Sequence, residues 1–274
     1  MVTSLTDCTT LNNGVRMPWF GLGVYKAEEG NEVMEAVQTA LKYGYRSIDT
    51  ASFYGNEEGV GKAIRQSGIP REDLFVTTKV WNDQQGFDST LEAFEESRRK
   101  LGLDTIDLYL IHWPVTGKYK ETWRAMEQLY REGRVRAIGV CNFEIHHLKD
   151  LMEDSEVTPA VNQVEYHPRL TQKELLRFCK ENDIQLEAWG PLMRGKILDH
   201  ETLRKIGEKY GKTPAQVVLR WDLQQGVITI PKSVREERIK ANADVFDFSL
   251  TPEEMESIDA LNQNIRTGPH PDDF

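Results

Sequence analysis

Short apolar runs recur along this chain of 274 residues and alternate with segments of helical periodicity. There are eight such runs, rich in Val, Ile, Leu and aromatic residues, near residues 19–23, 45–49, 74–79, 107–112, 135–141, 160–164, 184–189 and 227–231. Strands that alternate with helices pair in parallel through right-handed crossovers. Eight such units close into a (β/α)8 TIM barrel, and a doubly wound open sheet is the alternative α/β fold.

Further elements are predicted outside this repeat. Asn13-Gly14 lies between two short apolar-containing runs, which is typical of a β-hairpin. Residues 199–225 contain two helical patterns, so one crossover carries an extra helix. A threonine-proline start with acids in its first turn favours another helix near residues 251–262. No linker interrupts the pattern, and we expect one barrel domain over residues 1–274 that ends in an irregular tail.

Composition restricts the partners and the compartment. The chain has 34 Lys and Arg against 44 Asp and Glu, and a net charge of −10 argues against nucleic acid or an anionic membrane as the main partner. Its three cysteines are widely spaced and form no CxxC pair, which fits a cytoplasmic protein without disulfides. The N-terminal residues lack the pattern of a signal peptide, and no apolar run is long enough to span a membrane. We expect a cytoplasmic monomer or weak homodimer.

Polar residues end several of the predicted strands, and a barrel of this kind builds its active site at those ends. Asp49, Lys79 and His112 end three neighbouring strands, and Tyr54 follows Asp49 in the next loop. An ammonium group favours a phenolate, so we expect Lys79 to lower the pKa of Tyr54 while Asp49 holds Lys79 in place. A phenol tuned in this way can protonate an oxyanion as it forms, for example when a hydride attacks a carbonyl that His112 orients.

A second group of residues suits a ligand with a phosphate monoester and an aromatic ring. Lys232 and Ser233, with Arg238 about one helical turn later, place two cations at a helix start where Ser233 would be the N-cap. Other predicted strand ends carry groups that can pair with a carboxamide or cover a ring, namely Asn142, Gln163 and Trp189.

Several motifs of the chain, taken in order, resemble those of the aldo-keto reductases. They are MPWFGLGVYK, GYRSIDTASFYGNEEGVGKAI, LFVTTKVWN, DLYLIHWP, VRAIGVCNF, VNQVEYHP, AWGPL and ITIPKSVREERIKAN, and together they cover nearly the whole chain. The branch it resembles most is that of the short prokaryotic and protozoan members, which act on methylglyoxal and glyoxal, diketogluconate or prostaglandin precursors. The resemblance implies NADPH-dependent reduction of small aldehydes and ketones, with Tyr54 as general acid, Asp49 and Lys79 tuning it, and His112 orienting the carbonyl.

The resemblance also implies where the cofactor and the substrate bind. Asn142 and Gln163 would hold the nicotinamide carboxamide, and Trp189 would stack on its ring. The other implied cofactor contacts are Leu192 at the pyrophosphate, Lys232, Ser233 and Arg238 at the 2′-phosphate, Val234 beside them, and Asn242 at the adenine. The implied lining of the substrate pocket is Tyr25, Phe53, Trp81 and Trp113, with the C-terminal tail as a lid.

Three positions within the expected cofactor site depart from the family pattern. Cys141 stands where serine is usual before Asn142, and a thiol is a weaker hydrogen-bond partner than a hydroxyl. Gly190 stands where serine is common, which removes a hydroxyl near the pyrophosphate. Ala241 replaces a frequent glutamate, which removes an acceptor for the adenine amino group. These departures affect the expected cofactor affinity and leave the expected reaction unchanged.

Two other functions are weighed against reduction. Lys79 could form a Schiff base with a carbonyl substrate in a barrel lyase, although the phosphate cluster has no obvious role there. The chain could also be a redox sensor that keeps NADPH bound with little turnover. Without HExxH or HxH, no catalytic metal is predicted, and His146-His147 is interpreted as a pair on a helix surface. Arg266 and His270 are interpreted as solvated tail charges, with attraction of a carboxylate substrate as the alternative.

Overall fold

A computed structural model describes residues 1–274, and its main feature is a barrel of eight parallel strands. In chain order the strands are β1 (Cys8–Thr10), β2 (Arg16–Pro18), β3 (Leu22–Gly23), β4 (Ser47–Asp49), β5 (Phe75–Val80), β6 (Ile106–Ile111), β7 (Val135–Cys141), β8 (Val161–Glu165), β9 (Gln185–Trp189) and β10 (Ile228–Thr229). Strands β3 to β10 pair in sequence order. Hydrogen bonds from Gly21 N to Thr229 O and from Thr229 N to Trp19 O join the first and last of them. The predicted barrel is confirmed, and the order of the strands excludes a doubly wound sheet.

Amphipathic helices cover the outside of the barrel. In chain order they are α1 (Asn31–Lys42), α2 (Glu57–Gln66), α3 (Phe87–Leu101), α4 (Tyr119–Arg131), α5 (Ile145–Asp154), α6 (Lys173–Glu181), α7 (Glu201–Tyr210), α8 (Pro214–Gln224), α9 (Glu236–Ala243) and α10 (Pro252–Asp259). Both α7 and α8 lie between β9 and β10, so this crossover carries the predicted extra helix. The predicted C-terminal helix is α10, and Thr251 Oγ1 caps it by accepting from Glu254 N at 3.2 Å. None of these helices has the length and apolar character needed to cross a membrane.

The N-terminal hairpin of β1 and β2 fills one end of the barrel. The two strands pair antiparallel around Asn13-Gly14, and Gly14 has a φ of 87°, in the left-handed region that favours glycine. Leu11 and Met17 of the hairpin pack among the inward-facing side chains of the strands, including Phe75. The polar residues that follow the C-terminal strand ends therefore lie at the end opposite the hairpin.

Candidate active site

Three ionisable side chains, Asp49, Tyr54 and Lys79, form a relay at the C-terminal strand ends. Lys79 Nζ lies 2.5 Å from Asp49 Oδ1 and 3.2 Å from the Tyr54 hydroxyl. It also donates to the carbonyl of Thr50 at 2.9 Å, so oxygen partners surround the whole ammonium group. Asp49 and Lys79 are buried, whereas Tyr54 is half-buried. The structure thus brings together three residues that the sequence analysis singled out.

Local structure determines how Tyr54 reaches this relay. Asp49 is the last residue of β4, and the 3-10 turn Ser52–Tyr54 bends the chain back over the strand ends. Gly55 ends that turn with a φ of 66°, which a side chain would disfavour. Ser52 Oγ donates to the backbone carbonyl of Lys79 at 3.1 Å, so the turn is tied to β5. The tyrosine is therefore held by the strand that carries its lysine neighbour.

Burial and charge set the protonation states of the relay. Burial raises the pKa of Tyr54 above its ordinary value, and the Lys79 ammonium offsets this only in part. Burial lowers the pKa of Lys79, but the acidic groups around it, with Asp49 first among them, together outweigh burial and leave the pKa above its usual range. Lys79 thus acts on Tyr54 in the predicted direction, yet the expected net lowering is wrong because burial dominates. At neutral pH the tyrosine keeps its proton and the lysine is charged.

His112, which follows β6, is a neutral base beside the relay. Burial, together with the Lys79 ammonium, holds the pKa of His112 well below its usual range. Its Nδ1 is buried and has no hydrogen-bond partner. The ring is fixed instead by edge-on packing against Tyr54 and Trp81, at centroid distances of 5.7 and 5.0 Å. A neutral imidazole held in this way can donate a hydrogen bond to a carbonyl oxygen.

Aromatic side chains pack around the relay and His112, and three of the four predicted pocket residues, Tyr25, Phe53 and Trp81, are among them. Phe53 and Trp81 stack with their ring centroids 3.8 Å apart, and Tyr25 packs against the tyrosine of the relay at 5.0 Å. Trp113 is only 7% exposed because Phe274 stacks on it at 4.3 Å. Phe274, at the end of the tail that was predicted as a lid, therefore covers Trp113.

Asn142 connects three strand ends next to His112. Its backbone has a φ of 61°, and its side-chain amide donates to the carbonyl of His112 at 2.9 Å. Its Oδ1 accepts from Trp189 Nε1 at 2.8 Å. One N–H and one lone pair of the amide remain available for a carboxamide. The neighbouring Cys141 is buried, and burial raises the pKa of its thiol well above the usual value, so it is not an activated nucleophile.

Gln163 lies on β8, next to Asp49 of the relay. Its Nε2 donates to Asp49 Oδ2 at 2.7 Å and to Glu187 Oε2 at 3.0 Å. Both amide hydrogens are therefore used within the protein, and Oε1 remains as an acceptor for a ligand. Glu187 was not predicted from the sequence, although it stands two residues before Trp189 and so shares its face of β9.

The predicted phosphate residues lie around the start of α9. Lys232 and Arg238 are exposed and take part in no ion pair. The prediction that Ser233 is the N-cap is wrong, because α9 starts at Glu236 and its N-cap is Arg235. Ser233 Oγ instead accepts from Arg235 N at 3.1 Å and shapes the turn before the helix. Two free cations beside a helix N-terminus suit a phosphate group.

The remaining predicted cofactor residues follow the same strand ends. Gly190, Leu192 and Val234 are half-buried in the segments after β9 and β10, and Asn242 is buried on α9. Nothing lies within 4 Å of where a Cβ of Gly190 would stand, so this position leaves open space beside Trp189.

The C-terminal tail is bonded to the rim of the barrel. Glu165, the last residue of β8, accepts from Thr267 N at 2.6 Å and from Gly268 N at 3.2 Å. Arg266 forms an ion pair with Glu144 at 2.7 Å. The interpretation of Arg266 as a solvated charge is therefore wrong, and its guanidinium is already occupied by a carboxylate.

A second set of contacts fixes the tail further along. Asp272 lies 2.9 Å from His146 Nε2 and 3.4 Å from His147 Nε2. His147 Nδ1 accepts from Glu144 N at 3.0 Å and so caps α5, and the residue is only 8% exposed. The interpretation of both histidines as a surface pair is thus wrong for His147, which packs against Tyr119 and Phe143 and lies near Asp272 of the tail. His270 is exposed, as expected of a solvated tail residue.

Glu165→Gln is expected to loosen the tail, because an amide replaces the carboxylate that accepts from Thr267 and Gly268. Hydrogen exchange at these two amides should rise about tenfold, the effect of losing one charge-assisted hydrogen bond. Mass spectrometry of the C-terminal peptide measures it. Glu132→Gln changes an exposed carboxyl far from the tail and serves as the control. Equal protection in both variants would show that Glu165 does not hold the tail.

The family follows from the match of the sequence. Residues 20–263 match the Aldo/keto reductase family model. The chain belongs to this family. The matched region contains every strand of the barrel, the three residues of the relay and His112, so the predicted family is confirmed.

Individual aldo/keto reductases match over nearly their full length. Glyoxal reductase of Bacillus subtilis is 62% identical over 274 residues, covering 100% of this chain and 99% of its own. Methylglyoxal reductase DkgA of Escherichia coli is 49% identical, covering 96% of each chain. The crystal structure of a Gox0644 mutant in complex with NADPH has a TM-score of 0.93 at 45% identity, covering 99% of this chain and 98% of its own. This aldo/keto reductase is therefore an oxidoreductase from the predicted branch, with relatives that support carbonyl reduction and a nicotinamide cofactor.

Proposed function

We propose that this aldo/keto reductase uses NADPH to reduce small aldehydes and ketones, with 2-oxoaldehydes such as methylglyoxal and glyoxal as its main substrates. Diketo-sugars are the second class. The observation that carries the proposal is the Tyr54 hydroxyl, 3.2 Å from Lys79 Nζ and packed against the ring of His112. The names of two relatives, glyoxal reductase and methylglyoxal reductase, support the substrate class.

The side chains of the relay have separate roles in this reaction. Bound NADPH supplies the hydride. Tyr54 donates its proton to the carbonyl oxygen as the carbonyl group is reduced to an alcohol. Lys79 stabilises the phenolate that remains, and Asp49 keeps the ammonium in place. His112 donates a hydrogen bond to the carbonyl oxygen and so orients the substrate.

The residues at the strand ends fit NADPH. The free N–H and lone pair of Asn142 and the free Oε1 of Gln163 complement the donor and acceptor of a carboxamide. Lys232 and Arg238 present unpaired cations where the 2′-phosphate would lie. These cations are the reason for proposing NADPH rather than NADH.

Lys232→Ala and Arg238→Ala are each expected to weaken NADPH binding about tenfold, because each removes a charge-assisted contact to the phosphate. NADH has no 2′-phosphate, so its Kd should stay unchanged. Fluorescence titration with both cofactors measures the ratio. Lys240→Ala removes an exposed cation from the same helix and is the matched control. A parallel loss of NADH affinity would contradict the assignment of the two cations.

The structure disfavours a lyase that uses Lys79. A Schiff base needs a free, uncharged amine, whereas this ammonium is fully buried and bonded to Asp49, Thr50 and Tyr54. The Asp49 carboxylate also raises the pKa of Lys79, and this keeps the amine in its charged form. The relay that catalysis needs is assembled, and no observation favours a sensor without catalysis.

The experiment that tests the proposal follows NADPH absorbance with methylglyoxal, glyoxal, an aromatic aldehyde and a diketo-sugar. We expect oxidation of NADPH with all of them and the highest kcat/KM for the 2-oxoaldehydes. Binding of NADPH without oxidation would overturn reduction in favour of the sensor. A substrate adduct on Lys79, trapped with borohydride, would overturn it in favour of the lyase.

A further inference from the structure

A second buried acid lies one side chain away from the relay. Glu187 is 1% exposed, and in the sheet it pairs across from Gln163, whose amide joins it to Asp49. Glu187 Oε1 is buried and has no hydrogen-bond partner. The Gln163 amide is thus held between two carboxyl groups, and the proposed mechanism uses only one of them.

The groups around Glu187 decide its charge. Asp49 on β4, Lys79 on β5 and Cys141 on β7 are the titratable groups that face it, and Gln163 on β8 is neutral. Burial, with the Asp49 carboxylate, raises the pKa of Glu187 to about 8. Two ionised carboxylates that share one amide repel each other, and protonation of Glu187 removes this repulsion.

We propose that Glu187 is a positioning residue for the relay, which holds the Gln163 amide against Asp49 while protonated and adds a buried negative charge when ionised. The inference rests on the proposed function. The added charge opposes formation of a phenolate at Tyr54 when the proton leaves for the substrate. Glu187 is protonated at low pH and ionised at high pH, so reduction slows as the pH rises through about 8.

The first test compares the pH dependence of methylglyoxal reduction in the wild type and in Glu187→Gln. Glutamine keeps the shape of the protonated acid and cannot ionise. We expect kcat of the wild type to fall about three- to tenfold between about pH 7 and pH 9, and the variant to lack this fall while matching the wild type at low pH within about twofold. An unchanged pH profile in Glu187→Gln overturns the proposal.

Asp222 offers a matched control for the loss of a buried carboxyl. It is fully buried, its Oδ2 accepts from Thr229 Oγ1 at 2.7 Å, and burial raises its pKa well above the usual value. Asp222 has no contact with the relay. Asp222→Asn should therefore keep the wild-type pH profile, and a profile altered like that of Glu187→Gln would overturn the specific role of Glu187.

A second readout does not depend on turnover. The infrared carbonyl absorption of protonated carboxyls should lose one component in the wild type, without cofactor, over the same pH interval as the fall in rate. This titrating component should be missing in Glu187→Gln and kept in Asp222→Asn. If Glu187→Gln does not fold, a wild-type band that titrates with the rate supports the proposal, and its absence overturns it. Wild-type protein that reduces no carbonyl would overturn the proposed function alone, since the band would still report the state of Glu187.

Discussion

Tyr54→Phe is expected to lower kcat for carbonyl reduction about 10²- to 10⁴-fold, the usual contribution of a general acid. The substitution removes the hydroxyl proposed as the proton donor to the substrate oxygen, 3.2 Å from Lys79 Nζ. The ring remains and keeps its packing against Tyr25 and His112. NADPH affinity should therefore stay within about twofold. Absorbance of NADPH measures the rate, and fluorescence titration measures the binding.

Tyr25→Phe is the matched control, because it removes a hydroxyl from the same aromatic group. Tyr25 is 40% exposed and makes no hydrogen bond to the relay. Its loss should change kcat less than about threefold. If Tyr54→Phe retained a tenth or more of the wild-type rate, Tyr54 would not be the general acid.

Lys79→Met is expected to abolish reduction and to lower the free energy of unfolding by about 3–5 kcal/mol, the usual cost of breaking a buried ion pair. Asp49 would lose its cation in a buried site, with Gln163 as its remaining side-chain partner. The phenolate of Tyr54 would also lose its stabilising cation. Urea denaturation measures the stability, and NADPH absorbance measures the rate.

Two comparisons separate the effect on stability from the effect on catalysis. The double variant Asp49→Asn with Lys79→Met should recover most of the stability, since no uncompensated charge remains, but none of the rate. Lys205→Met breaks an exposed ion pair with Glu201 and should cost less than about 1 kcal/mol. If Lys79→Met also lowered the free energy of unfolding by less than about 1 kcal/mol, the buried Lys79–Asp49 ion pair would not contribute to stability as expected.

The sequence predicted the barrel well because its information is periodic and local. Each apolar run is followed by an amphipathic helix, and this alternation fixes parallel pairing without knowledge of any contact. The same rule brings Asp49, Lys79 and His112 together, since the C-terminal ends of adjacent strands share one end of a barrel. Even β3 and β10, with two residues each, are marked by apolar runs.

Properties that depend on distant partners could not be predicted in this way. The Gln163 amide meets Asp49 across 114 residues, and nothing local indicates that Glu187 shares it. The net pKa shift of Tyr54 depends on burial, which the motif does not contain. Arg266 pairs with Glu144, 122 residues earlier in the chain, and the sequence around Arg266 contains no sign of this partner. Its charge was therefore predicted to be solvated.

The bonds that close the barrel between Gly21 and Thr229 have a consequence for folding. They join segments about 200 residues apart and involve the two shortest barrel strands, β3 and β10. Contacts this distant in sequence form late, because the chain between them must first be ordered. We therefore expect closure of this ring to be a late step in assembling the cylinder.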